Sequence, residues 1–147
     1  MPAYTIQPLV TAIAVNTGGR NGHSETTDHS VSVDLSVRKE MGGPGLPGTT
    51  TPEHLFAAGY AACFGGAMEF AAGQKKQDVK GMAVTCTTSI GPREGGGYGI
   101  AVRMHVKVPT LSTEQAKALA QETHEKICPY SHATRGNIEF VLEVEGR

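Results

Sequence analysis

The stretch PEHLFAAGYAACFGGAMEF, Pro52–Phe70, decides how the rest of the chain is read. Beyond Glu53 and His54 it carries no charge until Glu69, and apolar residues fall on nearly every side of a helical projection. A helix of that kind is enclosed by protein. Thr51 is of the N-capping residue types, Pro52 suits the first helical position, and Glu53 complements the positive end of the helix dipole. The helix is expected to run to about Ala72, with Gly73 near its end. The uncharged run Leu55–Met68 is shorter than the about 20 residues a membrane span needs. A core helix is therefore expected, with no membrane as partner. Gly59, Gly65 and Gly66 lower helix propensity, and close approach of another backbone is the expected compensation.

On either side of this helix the hydrophobic period changes to two. In HSVSVDLSV, His29–Val37, the residues Val31, Val33, Leu35 and Val37 share one face, the mark of a half-buried strand. Val10–Val15 reads as an earlier strand. Met82–Ile90 and Tyr98–Val108 alternate across a glycine-rich turn and form a hairpin, with Ile100, Val102, Met104, Val106 and Val108 inward. Cys86 shares the core face of Met82 and Val84. Ile138, Phe140, Leu142 and Val144 line the inner face of a last strand. Between these strands, STEQ at Ser112 is a Ser-x-x-Gln capping box. Ala116, Leu119, Ala120, Thr123 and Ile127 follow at helical spacing until Pro129.

The order predicts an α+β fold with antiparallel sheet and a buried central helix, in a single domain over residues 1–147. A helix with so little polar surface is hard to cover in 147 residues. A homodimer enclosing two such helices between its sheets is the expected solution. Thirteen basic residues stand against 14 acidic ones, so nothing in the charge points to nucleic acid or an anionic membrane. The opening MPAYTIQPLVTAIAV has neither a basic n-region nor a small-residue cleavage site, and a cytoplasmic protein is expected. In that compartment a disulfide is more often transient and catalytic than structural.

Three cysteines are present, an odd count. Cys63, inside the apolar helix, is either a small buried hydrophobe or a thiol in use. Cys128 falls at the end of the second helix beside Pro129 and Tyr130, where a thiol is expected to be mobile and partly exposed. Cys86 reads as core. No H-E-x-x-H and no paired C-x-x-C is present, and the Cys128–His132 spacing lacks further ligands, so no metal is expected. GGRNGH, Gly18–His23, lacks the Lys-Ser/Thr of a phosphate loop. Arg20 in that loop is either an exposed charge in a turn or a guanidinium set beside a thiol. A nearby cation lowers a thiol pKa, and a carboxylate such as Glu53 can hold the arginine fork in place.

PEHLFAAGYAACF, CPYSHATRGNI and the GGRNGH loop together closely resemble the organic hydroperoxide resistance family within the OsmC-like superfamily. The resemblance runs from Tyr4 to the last strand, and the CPYS…ATRGN block is specific to that branch. Thr51 stands where the family usually has asparagine, and Gly65–Gly66 are smaller than the usual residues after the cysteine. The resemblance implies a thiol peroxidase and an interwoven homodimer with two interfacial active sites. It implies that Cys63 is the peroxidatic cysteine and Cys128 the resolving one. It implies that Arg20 activates Cys63 and that Glu53 holds Arg20. It further implies a dihydrolipoyl reductant presented by a lipoylated protein, and no metal, haem or flavin.

Phe56, Tyr60, Phe64, Met68 and Tyr130 are the candidate pocket residues, and their apolar character favours alkyl or fatty-acid hydroperoxides. On a continuous helix Glu53 and Cys63 lie about 15 Å apart in rise. Glu53 and Arg20 of one subunit are therefore expected to serve Cys63 of the other. The rival readings are an OsmC-type peroxidase or disulfide oxidoreductase using another reductant, and a non-enzymatic peroxide or lipid sensor.

Overall fold

A computed structural model describes residues 1–147, in two compact units, Met1–Pro52 and Glu53–Arg147. The first unit holds a three-stranded antiparallel sheet in the order β1 (Ala14–Thr17), β2 (His23–Thr26), β3 (Ser32–Asp34). β1 lies later in the chain than the alternation at Val10–Val15 predicts. β3 is shorter than the predicted His29–Val37 because both ends leave the sheet. At its start the Asp28 carboxylate accepts the Ser30 N–H and both the Thr26 and Ser30 hydroxyls, and His29 takes a left-handed φ of 63°. At its end Leu35 bridges to Thr50 instead.

The second unit opens with helix α1, Pro52–Gln74, within a few residues of its predicted bounds. Tyr60, Phe64, Ala67, Met68, Ala71 and Ala72 recur at helical spacing and are buried. They pack on a second sheet made of β4 (Ala83–Pro92), β5 (Tyr98–Lys107) and β6 (Glu139–Glu145). Alternation in β5 puts Val102, Met104 and Val106 inward while Arg103 and Lys107 face solvent. Val84 and Cys86 of β4, and Phe140, Leu142 and Val144 of β6, pack against the same core. Burying a side chain of the Phe64 or Met68 class contributes about 1.5–3 kcal/mol.

β4 and β5 form the expected antiparallel hairpin, but β5 and β6 run parallel. A parallel neighbour needs a crossover. Helix α2, Thr113–Glu122, supplies it, begun by the predicted capping box: Ser112 Oγ accepts the Gln115 N–H and Gln115 Oε1 accepts the Ser112 N–H.

The other side of α1, with Leu55, Ala58, Ala62, Gly66 and Phe70, stays exposed within the chain, Phe70 at 59%. At 23 residues α1 is long and apolar enough to cross a membrane by length and composition, although Tyr60, Phe64 and Met68 are wholly enclosed in the core. Contrary to the expected approach of another backbone, Gly59, Gly65 and Gly66 meet side chains of this chain or nothing. The Tyr130 ring lies 3.4 Å from where a Gly59 Cβ would stand, Val84 lies 3.6 Å from that of Gly65, and Gly66 faces open space.

Candidate active site

Where a simple helix end is predicted before Pro129, the chain makes a wider turn. Thr123–Ile127 form a π turn, closed by the Cys128 N–H on the Thr123 carbonyl at 2.9 Å. A residue preceding proline is driven out of the helical region, and Cys128 is extended, at φ −66° and ψ 119°. Pro129 then starts a further helix, α3, Pro129–Thr134, at the first-turn position that proline favours. Pro129 is both the stop that the helical spacing predicts and the start of a further helix.

Cys128 thus becomes the cap residue of a short helix, and it is not exposed. Its exposure is 0%, whereas Cys63 on α1 is only half-buried. The expectation of a partly exposed Cys128 fails because the π turn folds it inward, among the core side chains.

The two thiols meet. Cys128 Sγ donates to Cys63 Sγ at 3.7 Å. The Tyr130 N–H, in the first turn of α3 where helical N–H groups lack helical partners, also donates to Cys63. Burial pushes the Cys63 thiol above its ordinary range, the Tyr130 N–H opposes that push, and Cys128 adds to it. The net direction is upward, so these surroundings alone hold Cys63 as thiol rather than thiolate. Cys86 is likewise pushed up by burial and touches the Thr88 hydroxyl at 3.6 Å.

Three of the predicted pocket residues come together beside the thiols. The Phe56, Tyr60 and Tyr130 rings lie pairwise within 5.7–6.0 Å between centroids. Phe56 also lines an open groove of about 960 Å³, with Ile90, Pro92, Tyr98, Ile100 and Ile138. Phe64 and Met68 lie fully inside the core, because helical spacing puts them on the Tyr60 stripe that faces the sheet.

Arg20 belongs to the first unit, in a 3-10 turn, Gly19–Asn21. The turn is braced by Asn16, whose side chain accepts the Gly19 N–H at 2.9 Å and donates to the Gly19 carbonyl at 3.1 Å. Gly22 after it must be glycine: a Cβ there would lie 1.8 Å from the Thr17 carbonyl oxygen. Glu53 lies in the first turn of α1. No group of three His, Cys, Asp or Glu side chains is arranged to hold a metal ion.

Behind the cysteines lies a buried polar cluster that the sequence does not predict, formed by His124, Ser131, Thr134 and the Tyr60 hydroxyl. The spacing of Ser131 and Thr134 after Cys128 is its one sequence signal, and only once α3 is recognised as a helix.

The family profile described as OsmC-like protein matches residues 43–143. The organic hydroperoxide resistance protein of Xanthomonas axonopodis pv. citri is 44% identical over 135 residues, 91% of this chain and 93% of its own. The chain belongs to the organic hydroperoxide resistance branch of the OsmC-like family. Membership extends to the fold. A crystal structure of such a protein from Elizabethkingia anophelis, with thiocyanate bound, superposes with a TM-score of 0.90 at 38% identity, covering 97% of this chain and 100% of that one. One from Legionella pneumophila gives 0.88 at 42%, covering 95% and 99%.

Proposed function

We propose that this chain is a thiol peroxidase that reduces organic hydroperoxides to alcohols. The observation that carries the reading is the pair of free thiols 3.7 Å apart, one half-buried and one enclosed, beside a cluster of aromatic rings. The names of the relatives support the substrate class.

In the first step the Cys63 thiolate attacks the distal peroxide oxygen. The O–O bond breaks, and the alkoxide leaves as alcohol after taking a proton. Cys63 is then a sulfenic acid. Cys128 condenses with it, forming the disulfide and releasing water. An external dithiol opens the disulfide by exchange and carries away the two electrons. A dihydrolipoyl group on a lipoylated protein is the proposed dithiol.

Burial works against the thiolate, so the first step needs a cation. Arg20 is the proposed one, with Glu53 orienting its fork. The unbroken α1 supports delivery of both from the second subunit of a homodimer. That partner would also cover the exposed apolar side of α1 at Leu55, Ala62 and Phe70. Residues 1–147 act in this reading as one domain of a cytoplasmic enzyme that uses no metal, haem or flavin.

The test is consumption of cumene hydroperoxide with dihydrolipoamide or thioredoxin as reductant. Turnover with dihydrolipoamide, abolished by Cys63→Ser, supports the proposal. Turnover with thioredoxin alone supports an oxidoreductase with another reductant. One equivalent consumed without cycling under either reductant supports a sensor.

A further inference from the structure

Behind the two cysteines lies a chain of hydrogen bonds whose direction can be deduced. The Thr134 hydroxyl donates to the Tyr130 carbonyl at 2.9 Å, and a carbonyl can only accept. With its one hydrogen committed, Thr134 must accept from the Tyr60 hydroxyl at 3.1 Å. Tyr60, its hydrogen also used, accepts from the Ser131 hydroxyl at 2.8 Å. Ser131 in turn accepts from His124 Nδ1–H at 2.8 Å. The run is one-way, His124 to Ser131 to Tyr60 to Thr134 to the Tyr130 carbonyl, and every hydroxyl in it both gives and receives.

Its ends are anchored. The His124 ring stacks on Phe140 at 4.0 Å with 6° between planes, and the Arg135 guanidinium donates to the His124 carbonyl at 2.8 Å. Burial raises the Tyr60 pKa, so its hydroxyl keeps the donor the run requires. Tyr60, Ser131 and Thr134 are all closed to solvent or nearly so.

The placement matters more than the bonds themselves. Tyr60 stands one turn before Cys63 on α1. Ser131 stands one turn after Cys128 on α3. The Tyr60 hydroxyl therefore ties the helix carrying one thiol to the helix capped by the other, and the same α3 turn presents the Tyr130 N–H to Cys63.

We propose that Tyr60 is a positioning residue: through Ser131 and Thr134 it holds the first turn of α3 against α1 and so sets the effective concentration of Cys128 at Cys63. This rests on the reading of Cys63 and Cys128 as a redox couple. The sulfurs already lie 3.7 Å apart with the tie formed, so the tied arrangement is the one the disulfide, with its sulfurs about 2 Å apart, draws on, and the tie favours it.

The experiment uses the full chain with Cys86→Ser, so that a single couple is titrated. The protein is equilibrated in reduced and oxidised dithiothreitol, and the disulfide fraction is counted after thiol alkylation. Tyr60→Phe removes only the hydroxyl. It is expected to lower the disulfide equilibrium constant about tenfold, the order of one buried hydrogen bond, which raises the potential by about 30 mV. Ser131→Ala is expected to shift it the same way and decides the matter if Tyr60→Phe does not fold. Val144→Ala, which loosens the core on β6, should leave the potential at the parent value. An unchanged or lower potential in the folded variants overturns the proposal, as does an equal shift in Val144→Ala. Failure of the peroxidase reading looks different: the parent couple would titrate normally while cumene hydroperoxide went unconsumed.

Discussion

Oxidation of the Cys63–Cys128 pair should make the second unit markedly harder to unfold. The two residues are 65 apart in sequence, yet their sulfurs lie 3.7 Å apart in the reduced fold. A cross-link there constrains the unfolded chain far more than the folded one. The chain-entropy relation for a loop of that length gives about 14 cal/mol/K, or about 4 kcal/mol at 25 °C. With a urea m-value of about 2 kcal/mol/M, the unfolding midpoint should rise by about 2 M. The assay compares urea melts of oxidised and reduced Cys86→Ser protein at one concentration, with the bond confirmed by mass. A rise below about 0.5 M would refute the reasoning. It would mean either that bonding strains the folded state by several kcal/mol, or that the reduced fold does not already hold the thiols together.

Cys128→Ser should still lose one equivalent of peroxide to Cys63, then inactivate as sulfinic acid accumulates. Mass spectrometry after excess peroxide checks this, and normal cycling would point to another resolving thiol. Arg20→Ala should raise the Cys63 pKa further, read from thiolate absorbance against pH; an unchanged titration removes Arg20 from its proposed role. The two perturbed histidines should pull stability in opposite directions with pH, and NMR titration assigns them. His23 is raised, chiefly by its bond to Asp34 and then Glu25, so its contribution is present below the ordinary value of 6.5 and lost as pH rises through its folded value. His124 is lowered, first by burial and then by Arg135, so its contribution is present above 6.5 and lost as pH falls through its folded value. Ser112→Ala should cost about 1 kcal/mol through the lost cap on α2, measured by chemical denaturation.

Much of the fold was legible locally. The Pro52 start, first-turn Glu53 and apolar length of Pro52–Gln74, the alternation of Ala83–Pro92 and Tyr98–Lys107, and the capping box at Ser112 are each decided by neighbours in sequence. Propensity and period act over a few residues, so a chain read in short windows reveals them. The strand within His29–Val37 is shorter than its alternation predicts for the same reason: the alternation is real, but Asp28 and the Leu35–Thr50 bridge draw its two ends out of the sheet.

The sequence by itself determined which residue types were available for the chemistry: two cysteines, one in an apolar helix and one before a proline. It also determined that a wide apolar helix would need a core to bury it. Only the tertiary structure decided that Cys128 turns inward, that β6 pairs in parallel with β5, and that Tyr60, Ser131 and His124 share one run of hydrogen bonds. The physical reason is range. A 3.7 Å contact between Cys63 and Cys128, or a 2.8 Å bond between Tyr60 and Ser131, joins residues more than 60 positions apart. Their distance depends on how the whole core closes and on no local preference of either residue.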